Sequence, residues 1–297
     1  MQIGRRLPLV IERNYIWILI GILALLYAPL ILHWYDGWLN KSISLEHEYF
    51  SHGLIGLPFA AYIAWSDTRK RWHRLSDRPH PLGALLLFIG GVFYLTGLPD
   101  FVNLSFPLVL AGTCLWLKGL PGLKVEAFPL LLVLLATPTE VPYLIAPYTL
   151  PLQSFIAGFA GFILSHLGIN VTVEGIYLFV NQRIVEVAPH CAGLKMLLTS
   201  LYVALMLLYW TGALASRSKT ILFLGSTVVL SVFGNIIRNT LLTFFHGTSQ
   251  EQIFHWLHEG WGGDLYSACM LGLLIPLLTG IEWLVDYFDD GSSAEMS

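Results

Sequence analysis

Apolar residues fall into nine runs separated by short polar punctuation. Eight of them, roughly 15–34, 50–66, 82–98, 103–117, 126–142, 191–211, 219–245 and 264–288, are uniform enough to cross a bilayer. A helix needs about 20 residues to cross, fewer where flanking side chains reach back to water. The ninth run, 143–168, is broken by Pro147, Pro151, Gly158 and Gly161, and predicts an interfacial or re-entrant segment with no net crossing. Between 171 and 187 the pattern changes period: β-branched residues alternate, and Asn181-Gln182 stands between two runs, which predicts a small β-hairpin. The expected fold is an all-α polytopic membrane protein of about eight transmembrane helices, with an outer-face interfacial segment and a hairpin. It forms one integral membrane domain over 1–297, with a cytoplasmic stretch 1–14 and a flexible tail 291–297.

Composition agrees. The 297 residues are 56% hydrophobic and 12% charged, about half the charge of a soluble domain, with mean hydropathy +0.67. A net charge of -3 with no basic tract gives no sign of nucleic acid as a partner. Lys and Arg orient the chain, because cytoplasmic loops carry the excess. Twelve of the sixteen basic residues (Arg5, Arg6, Arg13, Arg69, Lys70, Arg71, Arg74, Arg78, Lys118, Lys124, Arg217 and Lys219) belong to one set of alternate segments. Lys41 and Arg183 lie on the opposite side, and Lys195 and Arg238 at helix ends. This predicts both termini inside. The start of the 191–211 run, the end of 219–245 and the loop beyond it then meet at the outer face. No small-residue cleavage site follows the first run, so it reads as a retained span.

That face gathers chemistry. Val187-Ala188-Pro189-His190-Cys191-Ala192-Gly193-Leu194-Lys195 puts one cysteine just past a proline suited to a first helical turn. The field at a helix N-terminus favours thiolate, the nucleophilic form; the bland alternative is a packed apolar cysteine. Asn235-Ile236-Ile237-Arg238 sets a guanidinium in an apolar helix, where it either snorkels to the interface or serves function. Asn235 lies three residues before Arg238 and four before Asn239, on a shared face. His246, His255 and His258 follow, each of them as readily a hydrated interface residue as a proton carrier. A cysteine nucleophile needs a base and donors for the oxyanion formed on the attacked carbonyl, and Cys191, a histidine and Arg238 offer those roles.

At these residues the chain resembles the exosortase/archaeosortase family, and within it the cyanobacterial exosortases. Cys191-Ala192-Gly193-Leu194-Lys195 stands for the family's Cys-Ser-Gly-Leu-Arg-like block, Asn235-Ile236-Ile237-Arg238 for Asn-x-x-Arg, and His258 with Gly262 for a His followed by Gly four residues on. Tyr49-Phe50-Ser51-His52-Gly53 and Pro151-Leu152-Gln153 are similar too, so the likeness covers about 50–290. The resemblance implies a membrane cysteine protease and transpeptidase of the plasma (inner) membrane, with its active site on the outer, periplasmic face. Its partners would be exported proteins with a C-terminal sorting signal (a Pro-Glu-Pro-like motif, a membrane helix and an Arg-rich tail), a lipid or glycan acceptor, and membrane lipids. No metal or organic cofactor is implied. Cys191 would be the nucleophile, Arg238 the oxyanion or substrate stabiliser and His258 the proton carrier. His190, Lys195, Asn235, His52 and Glu186 would bind substrate or support. Ala192 and Lys195 depart from the family's Ser and Arg; lysine keeps the charge but loses the bidentate geometry.

Other groups rank lower. Glu46, His47, Glu48 and His255 lack a metal-binding spacing. Glu140 and Glu186 either orient substrate or sit as solvated carboxylates. Gly90-Gly91 and Gly158/Gly161 suit close helix packing. Trp34, Tyr35, Trp38, Trp256 and Trp261 read as an interfacial belt. The competing hypothesis is a non-enzymatic transporter or scaffold for surface polymer export, in which Arg238 lines a substrate path.

Overall fold

The computed structural model describes residues 9–39, 49–188, 193–258 and 260–294. Packing divides the chain into two units, Met1–Thr139 and Glu140–Ser297. Among the described residues six helices are long and apolar enough to cross a membrane, and three shorter apolar helices accompany them. Each of the nine predicted apolar runs contains one of them.

The first unit holds α1 (Leu9–Leu39), α2 (Gly53–Ser66), α3 (Arg69–Arg74), α4 (Pro81–Leu95), α5 (Pro99–Val125) and α6 (Ala127–Ala136). Pro81 and Pro99 stand in first turns, where proline's missing N–H costs nothing. Helices α4 and α5 pack against each other, and Gly90 permits it: an added Cβ would lie 2.7 Å from Val109 Cγ2. Two members of the predicted belt are core residues instead. Trp34 is fully buried and donates its indole N–H to Asn103 at 2.8 Å, and Trp38 is buried as well. An indole N–H inside an apolar bundle must find an acceptor, and Asn103 on α5 supplies one. Lys118, expected in a cytoplasmic loop, is instead on α5, bonded to the Leu75 carbonyl at 2.9 Å and paired with Asp77 at 2.5 Å.

The second unit holds α7 (Val141–Ile145), a 3-10 turn Ala146–Thr149, α8 (Leu150–His166), β1 (Val171–Glu174), β2 (Tyr177–Val180), β3 (Arg183–Glu186), α9 (Leu194–Thr211), α10 (Arg217–Gly247), α11 (Glu251–His258), α12 (Trp261–Gly272) and α13 (Leu274–Ala294). Two expectations change here. The 143–168 run is not interrupted by its prolines and glycines: Pro147–His166 is a continuous helical run of crossing length. Pro151 falls in its first turn, and Gly161 packs against Val173 of β1 rather than interrupting the helix. The hairpin is a three-stranded antiparallel sheet, ordered β1-β2-β3. Its second turn is the predicted Asn181-Gln182, both at positive φ as a type I′ turn requires. The extra strand arises because Gly175, at φ +62, lets Val171–Glu174 fold back through a two-residue loop.

Helix α10 is the axis of this unit. Near its start, Phe223 packs with Ala204 and Leu208 of α9 and Leu274, Leu278, Ile281 and Val285 of α13. Further along, Ile236 joins Ile156, Ala157, Ala160 and Leu164 of α8, Leu178 of β2 and Val187. The sheet grips its far end: Asn181 donates to the Gly247 carbonyl at 3.0 Å, and Arg183 to that of His246 at 3.0 Å. Ser216 caps its start by accepting from Lys219 N.

Candidate functional site

The spanning helix that follows the cysteine segment starts later than the apolar pattern suggests. Helix α9 begins at Leu194, and its N-cap, Gly193, has φ +82, a left-handed conformation that favours glycine. The first turn of α9 therefore begins three residues past Cys191 in the chain. Residues 189–192, which include His190 and Cys191, lie outside the described residues. Both flanks of that segment are buried. Val187 is fully enclosed and donates to the Ile176 carbonyl at 2.9 Å. Gly193 rests on Asn235 so closely that an added Cβ would meet the carboxamide at 2.6 Å.

Asn235 is 1% exposed. Asn239, one turn on, donates through Nδ2 to the Asn235 carbonyl at 2.9 Å and to Asn235 Oδ1 at 3.3 Å. Asn235 Nδ2 is buried with no hydrogen-bond partner, as is Arg238 Nε. The end of the Arg238 guanidinium reaches α12: its Nη2 would be 3.6 Å from a Cβ placed at Gly263. The same Cβ would stand 2.8 Å from the Leu257 carbonyl, so only glycine lets these groups approach. Tyr266, one turn beyond Gly263, donates to the Gly234 carbonyl at 2.5 Å and ties α12 to the turn of α10 that carries Asn235 and Arg238.

His258 ends α11, a short helix where the sequence suggested a loop. Its ring stacks on Phe254 at 5.2 Å and 10°, and Phe254 also meets His246 at 4.9 Å. The start of α11 is fastened by Glu251, which pairs with Arg183 of β3 and lies 3.5 Å from His246 Nδ1. Arg183 beside it holds the Glu251 carboxyl below the usual carboxylate range.

The structure thus brings Gly193, Asn235 and Arg238 together, and carries Arg238 to the backbone just before His258. Lys195 is half-buried in the first turn of α9. Glu186 is exposed at the end of β3, opposite Tyr177, and Glu140 is exposed too. His52 belongs to the first unit, where it is buried at the start of α2 with Nε2 3.0 Å from the Leu135 carbonyl. Glu46, His47 and Glu48 lie outside the described residues, and His255 is exposed. Sequence reasoning missed Gly263, Tyr266 and Phe254. The only signal for Gly263 was its place one residue past the family's glycine at Gly262.

Fold and composition define a multi-pass α-helical membrane protein. The family model described as transmembrane exosortase matches residues 38–275, most of the chain, and the protein belongs to that family. No curated protein and no solved structure matches the chain.

Proposed function

We propose that this exosortase is a membrane cysteine protease and transpeptidase acting at the outer face of the plasma membrane. It cleaves the C-terminal sorting signal of exported proteins and hands them to a lipid or glycan acceptor. The observation that carries the reading is the seat of Gly193 on Asn235, one turn from Arg238. Two residues of chain reach at most about 7 Å, so the Cys191 segment is tethered beside the buried donors of α10. Cys191 stands two residues ahead of the α9 N-cap in the chain, and the field at a helix start favours thiolate.

In the reaction, the Cys191 thiolate attacks the scissile carbonyl carbon, and the Arg238 guanidinium stabilises the oxyanion. The intermediate collapses to a thioester as the C–N bond breaks, and the leaving amine takes its proton from the His258 imidazolium. Neutral His258 then accepts the proton of an acceptor hydroxyl or amine that attacks the thioester, and the thiolate leaves. His190, Lys195, Glu186 and His52 remain candidates for substrate contact or support.

Orientation follows from the basic loops and needs one crossing between Glu126 and the sheet. Helix α6 runs antiparallel to α2, with Glu126 meeting the Thr68 hydroxyl beyond one end and the Leu135 carbonyl meeting His52 at the other, so α6 makes that crossing as α2 makes the opposite one. Helix α8 then makes no net crossing, which keeps the sheet and the start of α9 outside.

The test is co-expression with an exported protein bearing a Pro-Glu-Pro-like motif, a membrane helix and an Arg-rich tail. Cys191→Ala should insert normally yet leave that protein uncleaved. Arg238→Ala should slow cleavage about a hundred- to a thousandfold. Full processing by Cys191→Ala would reject the nucleophile.

A further inference from the structure

We infer that Asn235 is a second oxyanion donor, its carboxamide N–H binding the same substrate oxygen as Arg238. The inference rests on the Cys191 reading above and adds a residue in direct contact with the reacting atoms.

The orientation of the carboxamide is fixed by its neighbour. Asn239 must present Nδ2 to the Asn235 backbone carbonyl, because a carbonyl can only accept. The same Nδ2 approaches the Asn235 side chain, so the atom it meets there is the oxygen. Asn235 Nδ2 consequently points away from Asn239 and lies against Gly193, two residues from Cys191. There it is buried and donates to nothing.

A buried N–H without an acceptor is costly, and native proteins seldom keep one without a use. Here two such donors, Asn235 Nδ2 and Arg238 Nε, stand three residues apart on one helix, the first of them against Gly193. A single acceptor oxygen that arrives with substrate and becomes negative during reaction would engage both. Fixed donors that gain strength as charge develops lower the barrier without tightening substrate binding. Gly193 makes the approach possible, since any larger residue would fill the space against the carboxamide.

The test uses the purified full-length protein in lipid nanodiscs, a sorting-signal substrate under single-turnover conditions, and iodoacetamide as the thiol probe. Alkylation is read at the Cys191 peptide by mass spectrometry. Asn235→Leu and Asn235→Ala, which remove the donor without adding charge, should each slow cleavage about a hundredfold or more, and Cys191 alkylation should change less than about twofold. Asn239→Ala, which frees the carboxamide to turn, should lose about tenfold and decides the matter if an Asn235 variant fails to accumulate. Unchanged cleavage in these variants overturns the inference. So does alkylation that falls in step with cleavage, since Asn235 would then only hold the cysteine in place. Continued cleavage by Cys191→Ala would instead remove the nucleophile reading itself, whereas a negative result confined to Asn235 leaves that reading standing.

Discussion

The two units treat buried polar groups differently. In the first unit they find each other: Tyr27 meets Ser105 at 3.0 Å, Trp34 bonds Asn103, Thr68 donates to Glu126 at 2.6 Å, and Lys118 pairs with Asp77. Among the described residues of that unit, the Trp38 indole at the edge of α1 is the N–H left over. In the second unit Gln153 Nε2 and the Thr199 and Thr220 hydroxyls are buried without partners one by one, whereas Asn235 Nδ2, Arg238 Nε and the Thr243 hydroxyl are so within nine residues of α10. Paired polar groups lock helices together, and unpaired ones on a rigid helix wait for something that arrives later. The first pattern reads as structure and the second as a site.

Substitutions can break that contrast. Outside the donors themselves, the largest effect is expected at Gly193→Ala, which forces a Cβ into the Asn235 carboxamide and a strained φ onto alanine. Cleavage should fall at least about thirtyfold, with about 1–3 kcal/mol lost in stability; near-normal turnover would show that this contact has no part in catalysis. Trp34→Phe should act in the opposite sense. It strands Asn103 and should cost about 1–3 kcal/mol in stability, with cleavage per folded molecule unchanged. Denaturation in detergent and single-turnover rates separate the two outcomes, and a rate loss here would blur the distinction between the units. Tyr266→Phe removes the bond to the Gly234 carbonyl. It should cost about 1 kcal/mol and slow cleavage several-fold through a loosened Arg238, lowering kcat more than it alters KM.

The smallest effect belongs to the clamp on α11. Glu251 has a depressed carboxyl pKa, so its contribution is present above the ordinary value of 4.5 and is lost as pH falls below it. The docking of α11 should loosen at acid pH in the parent protein and not further in Glu251→Gln. Hydrogen exchange across 251–258 reads the difference. The rate change at neutral pH should stay within about fivefold, as for an exposed ion pair.

Much of this architecture is legible in the sequence because it follows from local periodicity. All nine apolar runs became helices, and Asn181-Gln182 turned where two alternating stretches met. What was hidden depends on partners distant in sequence. Trp34 looked interfacial until Asn103, 69 residues away, proved to be its acceptor. The proline-rich 143–168 run looked broken, yet a proline in the first turn starts a helix as readily as one further in ends it. The late start of α9 is set by the left-handed Gly193, which composition does not announce. Asn-x-x-Arg and its shared face could be read directly. That Asn235 turns its N–H toward Gly193 could not, because Asn239, one turn on, and the left-handed Gly193 decide it together.

The central claim is a thioester on Cys191, and intercepting it is the most direct measurement. Purified protein mixed with a sorting-signal substrate, acid-quenched and digested, should give a Cys191 peptide carrying the substrate fragment N-terminal to the cut. Hydroxylamine should release that fragment, and His258→Ala, which slows transfer to the acceptor, should retain any adduct it forms for longer. Cleavage that proceeds while the Cys191 peptide stays unmodified at every time point would contradict the account.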